Sequence, residues 1–97
     1  MTSLDVNAVK NVSDTKVFPN PITTFFSVCF SLSENTELNI SVVGMNGKIV
    51  KELYEGVATS GDNVFSFDKS NLSAGVYFLV IKSNDKIFKN EKIIIAN

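Results

Sequence analysis

The chain of 97 residues contains no histidine, no tryptophan and no arginine, and has one cysteine and two prolines. Each shortage removes a class of function. Without histidine the commonest general base and metal ligand is missing. All nine basic residues are lysines, so bidentate recognition of phosphate or base edges lacks its usual residue. A formal net charge of −1 exerts no pull toward nucleic acid or an anionic membrane, and no nucleic-acid partner is expected. The lone Cys29 has no partner for an internal disulfide. No apolar run approaches the ~20 residues that span a bilayer, so no direct membrane insertion is expected. The opening residues, Met1-Thr2-Ser3-Leu4-Asp5, lack the basic cluster and apolar run of a secretory signal.

What remains is a pattern of short strands. The length suits one domain. The organising stretch is residues 72–81, Leu-Ser-Ala-Gly-Val-Tyr-Phe-Leu-Val-Ile. Gly75 opens it at a sharp turn, where tolerance of positive φ is useful. Tyr77, Leu79 and Ile81 then alternate with Val76, Phe78 and Val80, giving a strand that is apolar on both faces. Such a strand is expected in the middle of the fold with cover above and below.

The other segments alternate more simply. Residues 25–32 place Phe26, Val28, Phe30 and Leu32 on one face and Phe25, Ser27, Cys29 and Ser31 on the other, which predicts a half-buried strand. Residues 37–45 turn Leu38, Ile40 and Val42 inward. Asn46-Gly47 follows, the strongest short signal for a two-residue type I′ hairpin. Residues 48–54 return as an edge strand carrying Lys51 and Glu52. Residues 63–68 pair Phe65 with Phe67 on one face. Residues 86–96 form the last strand, with a break in period near Lys89-Asn90-Glu91 that suggests a bulge. A seventh short strand fits residues 15–18, just before the rigid corner Pro19-Asn20-Pro21. Residues 1–14 read as a linker or a weak edge strand. Strands at roughly ten-residue spacing with Gly, Asn and Ser turns predict an all-β, antiparallel, immunoglobulin-like β-sandwich of about seven strands.

Chemistry is sparse. Cys29 lies among aromatic residues and reads as a small buried hydrophobe rather than a reactive thiol. The carboxylates Glu34, Glu37, Glu52 and Glu55 are scattered around turns and an edge, which is poor material for a glycosidase pair. Asp62-Asn63 and Asn84-Asp85 fit ordinary turns better than calcium loops. Residues 44–48 make a hairpin and not a phosphate loop. No catalytic residue, metal or cofactor is expected. Phe25, Tyr54 and Phe88 are the only candidate platforms for stacking a sugar, and a sugar-binding or spacer module is the alternative reading.

The end of the chain stands apart. Ile93-Ile94-Ile95 is a run that alternation does not hide on one face. If its strand edge is unpaired, a partner could capture it by β-augmentation.

Four motifs in order resemble the type A C-terminal sorting domain of the type IX (Por) secretion system. They are Phe18-Pro19-Asn20-Pro21, then Asn46-Gly47-Lys48-Ile49-Val50, then Leu72-Ser73-Ala74-Gly75-Val76-Tyr77, and finally Lys92-Ile93-Ile94-Ile95. The resemblance runs from Lys16 to Asn97. It implies a non-enzymatic address in residues 15–97, fused behind an N-terminal passenger domain whose own signal would lie far upstream. It implies transit through the periplasm to the outer-membrane surface or the extracellular space. The implied partners are the outer-membrane translocon and a sortase-like peptidase that removes the domain. Recognition is expected at Lys92, Ile93, Ile94, Ile95, Ala96 and Asn97. Pro19, Asn20, Pro21, Gly47, Lys48, Leu72, Gly75 and Tyr77 are the motif residues expected to shape the fold or be read with them.

Overall fold

A computed structural model describes residues 13–83 and 86–96. It contains seven strands: β1 (Ser13–Phe18), β2 (Phe25–Leu32), β3 (Thr36–Val43), β4 (Ile49–Ala58), β5 (Gly61–Asp68), β6 (Gly75–Ser83) and β7 (Lys86–Ile95). They form a three-stranded sheet ordered β1-β2-β5 and a four-stranded sheet ordered β4-β3-β6-β7. All pairings between strands are antiparallel. The linker expected over residues 1–14 lies outside the described residues except for Ser13 and Asp14, which already belong to β1. The turn residues Asn84 and Asp85 and the terminal Asn97 also lie outside them.

The core forms where the two apolar faces meet. Phe26, Val28, Phe30 and Leu32 of β2 are buried, as their alternation predicts. Opposite them lie Leu38, Ile40 and Val42 of β3 and Leu79 and Ile81 of β6, each at most 2% exposed. Phe65 and Phe67 close one side; Phe65 meets Tyr54 edge-on at 4.6 Å between ring centroids. Edge-to-face geometry aligns the positive ring edge with the negative ring face and adds to the area buried. The tyrosine near the start of β6, Tyr77, donates its hydroxyl to the Ser73 carbonyl at 2.7 Å. A tyrosine tied back to the preceding corner in this way is a mark of immunoglobulin-like sandwiches.

Several expectations require correction. The stretch 72–81 is covered on one face only. Tyr77, Leu79 and Ile81 face the core, but Val76, Phe78 and Val80 lie on the outer face, which no described element covers. The hairpin after β3 is not a two-residue type I′ turn. Val43 pairs with Ile49, leaving the loop 44–48, in which Gly47 N–H donates to Gly44 O at 3.0 Å and Gly44 N–H to Lys48 O at 2.9 Å. Only Gly47 has positive φ, at 85°, as in a turn closed by a left-handed residue at a bulge. Asn46 uses its side chain to accept from Lys48 N–H at 3.1 Å.

Cys29 is half-buried on the outer face of β2 rather than in the core, between Lys16 and Val64 on the flanking strands. Alternation with the buried Phe30 puts it there. The bulge in β7 falls at Phe88, between the pairs Ile81–Lys89 and Lys82–Ile87. Two further irregularities interrupt β4: one, at Leu53, pairs Tyr54 with inward Ile40 and Glu52 with outward Ser41, and the other, at Val50, lies between the pairs Val42–Lys51 and Val43–Ile49.

The terminal strand and the corner that holds it

β7 is an edge strand, paired with β6 on one side. Its last residues sort cleanly by face. Ile93 and Ile95 point into the core at 0% and 2% exposure, while Ile94 faces out at 38%. Lys92 is exposed and lies opposite Phe78 on β6.

The backbone edge of this segment is taken, against the expectation of an unpaired edge. Asn20 sits between two prolines that have no N–H to offer, and both Phe18-Pro19 and Asn20-Pro21 are cis. Its side chain does the pairing instead. Nδ2 donates to Lys92 O at 3.3 Å, and Oδ1 accepts from Ile94 N–H at 3.0 Å. Ile22, fully buried, continues the line: its N–H donates to Ile94 O, and its carbonyl accepts from Ala96 N–H, both at 2.7 Å. Ile22 thus forms a parallel bridge with Ile95. Three edge groups of β7 and the amide of Ala96 just after it are satisfied by a segment more than seventy residues away in sequence, at roughly 0.5–1.5 kcal/mol per hydrogen bond.

The third motif is the neighbour on the other side. Gly75 pairs with Ile95 and Tyr77 with Ile93. Leu72 is buried beneath the turn, and its N–H donates to Lys69 O at 3.2 Å. The Gly47-Lys48 loop follows Val43, which pairs with Phe78 two residues from Val76. All four sequence motifs therefore gather at one end of the four-stranded sheet. Of the residues singled out from sequence, Pro19, Pro21, Gly47 and Lys48 are exposed, Leu72 is buried and Tyr77 half-buried. Ile22 was not singled out. The only signal for it is an apolar residue directly after Pro21.

Little else resembles a reaction centre. Among the described residues no three His, Cys, Asp or Glu side chains gather where they could hold a metal. Among the described residues no helix is long and apolar enough to cross a membrane. Of the three expected sugar platforms, Tyr54 and Phe88 pack against the core, which leaves Phe25, 63% exposed.

The two sheets, with the fourth strand beside the third and a tyrosine tying down the sixth, define an immunoglobulin-like β-sandwich. Among solved structures the chain is similar to an immunoglobulin-like protein from Pseudomonas aeruginosa, with a TM-score of 0.54, 10% identity, and coverage of 89% of this chain and 95% of that one. At that identity the likeness is one of fold. No curated protein matches. The model of the secretion system C-terminal sorting domain matches residues 16–96, and the chain belongs to that family, the type IX sorting domains. The family is one of sorting signals and not of catalysts.

Proposed function

We propose that residues 15–97 direct a larger cargo through the type IX outer-membrane translocon, and that residues 1–14 connect them to an upstream passenger domain. The translocon reads the terminal strand, with Lys92 and Ile94 as the side chains it meets first. Ile93 and Ile95 fix that strand from inside, and Asn20 and Ile22 fix its edge. After passage from the periplasm to the outer-membrane surface or beyond, a sortase-like peptidase removes the domain. The domain performs no chemistry of its own. The observation that supports this reading is the disposition of the last strand. It stands at the margin of a rigid sandwich, anchored by two buried isoleucines, with its alternate residues Lys92 and Ile94 turned outward.

The test is a fluorescent cargo fused ahead of this domain in a host with the secretion system. One arm deletes residues 93–97. Because that deletion also removes two core side chains, a second arm carries Lys92→Gln with Ile94→Ser, which leaves the core intact. Loss of export with the domain still folded, by far-UV spectrum and thermal melt, is the expected result. Undiminished export of the folded double variant defeats the assignment of Lys92 and Ile94.

A further inference from the structure

The corner that closes the edge of β7 is held unequally at its two ends. Beyond Ile22 the chain is tied down independently. Thr24 O accepts from Lys69 N–H at 2.8 Å, and β2, which begins at Phe25, pairs with β5 from Phe25 to Leu32. Before Pro19 the chain is β1. Among the described strands β1 has β2 as its single neighbour in the sheet, and their register breaks between Ser13 and Lys16. Val17 packs against the core, whereas Phe18 is 51% exposed. Thr15 is buried, and its hydroxyl meets no hydrogen-bond partner among the described residues. An edge strand with one apolar anchor, a broken register and an orphaned hydroxyl belongs at the low end of local stability.

The corner adds to that weak hold. Phe18 runs directly into Pro19-Asn20-Pro21-Ile22, which bonds Lys92, Ile94 and Ala96 and ends in a residue 0% exposed. β1 and β7 also touch across the sandwich. Two edges that belong to different sheets are therefore joined by a strap of four residues. From Phe18 to Ile22 the chain can span at most about 14 Å, and the two prolines each fix a φ angle. A strap so short and stiff has little slack. If β1 peels from β2, the strap is pulled from β7. If the strap leaves β7, β1 loses the buried Ile22 that follows it. Packed and hydrogen-bonded groups with two discrete arrangements are what carry coupling between distant parts of a fold.

We propose that residues 19–22 are a clasp that makes β1 and the end of β7 one cooperative unit, so that the first strand of the domain and its last open and close together. The coupling is reciprocal, as linkage requires: whatever loosens one loosens the other by the same factor. Its consequence for export rests on the sorting reading above. A receptor that draws the terminal strand away from Asn20 and Ile22 also loosens β1, the strand through which the passenger enters the domain. The signal at one end of the chain thereby controls access to the junction at the other.

The experiment is residue-resolved amide exchange on the purified 97-residue chain. Asn20→Ala opens the clasp from the β7 side. The protected amides of β1 are expected to exchange about tenfold faster, together with Ile94 and Ala96, while those of β2 and β3 keep their rates. Val17→Ala loosens β1 and is read in the other direction, at Ile22 and Ala96, which should also speed up. Thr15→Val removes the orphaned hydroxyl and should slow β1 and Ala96 together. Ser83→Ala is the control. It removes a hydrogen bond of 2.6 Å to Glu37 O at the far end of β6 and should leave β1 unchanged. Faster exchange at Ile94 and Ala96 with β1 unmoved in Asn20→Ala overturns the clasp. So does equal acceleration of β1, β2 and β3, because the whole sandwich then opens as one. Should Asn20→Ala fail to fold, Thr15→Val decides: a slower β1 beside an unchanged Ala96 overturns the clasp. Failure of the sorting reading looks different. In that case the cargo fusion is not exported although β1 and β7 remain coupled.

Discussion

β2 and β6 both run through the middle of a sheet, yet they treat their outer faces differently. Inward, they are alike: Phe26 and Val28 on one, Leu79 and Ile81 on the other, all at most 1% exposed. Outward, β2 shows Phe25 at its start and then Ser27, Cys29 and Ser31, with serine hydroxyls bonded across strands to Ser66 and Asp62. β6 shows Val76, Phe78 and Val80. Val80 is nevertheless only 5% exposed, although no described element lies over it. Its neighbours in the sheet, Ser41 and Asn90, flank it. Burial of an apolar side chain in a sandwich thus does not require a second layer. The difference teaches that from Ser27 to Ser31 the outer face of β2 is satisfied by hydrogen bonds across strands, whereas that of β6 is apolar and shaded by its neighbours in the sheet.

The comparison is sharpest where large side chains are removed. Phe26→Ala and Leu79→Ala each take a fully enclosed side chain from the shared core and should cost about 3–5 and 2–5 kcal/mol. Denaturant melts of the purified domain read both. Equal, severe losses confirm that the two strands are equivalent inward. A mild Leu79→Ala would show that β6 is less tightly packed than its exposure indicates.

Asn20→Ala comes next, because it frees the margin of the sheet that contains β6. Two hydrogen bonds to β7 are lost and Ile94 N–H is left without its acceptor, for about 1–3 kcal/mol. Amide exchange should accelerate at Ile94 while the amides of β2 stay protected. Acceleration spread evenly over both sheets would mean that the corner supports the whole sandwich rather than one edge.

These two predictions differ in how far the sequence announces them. The inner face of β2 is legible residue by residue, because apolar and polar side chains alternate without a break. The position of β6 at the centre is legible from its two apolar faces, but the cover expected on both is not there, since shading by in-sheet neighbours leaves no mark in the strand itself. Asn46-Gly47 marks a turn correctly and mistakes its type: Asn46 bonds the Lys48 amide through its side chain, which spares it a left-handed backbone. The bulges in β4 and β7 displace faces by one residue and turn Tyr54 inward. The bond from Asn20 to β7 is illegible, because a side-chain amide pairing with distant backbone has no period. The four motifs of the terminal site are visible in the sequence, whereas their convergence on one end of one sheet is a property of topology alone.

The smallest effects separate the outer faces. Phe78→Ser removes a half-buried ring from β6 and should cost about 1 kcal/mol, the loss of a partly shielded apolar surface without a core cavity. Cys29→Ser should fall within about 0.5 kcal/mol of neutral. The thiol is half-buried on a face where serine already stands two residues before and two residues after it. A hydroxyl there has solvent and cross-strand neighbours as hydrogen-bond partners, so it is not desolvated without compensation. Were Cys29 the enclosed small hydrophobe that its aromatic surroundings in sequence suggest, the same change would bury an unpaired hydroxyl and cost about 1–3 kcal/mol. A single melt distinguishes the two cases. A near-neutral Cys29→Ser beside a measurable Phe78→Ser shows that β2, from Ser27 to Ser31, turns a polar face to solvent and β6 an apolar one, and a costly Cys29→Ser removes that contrast.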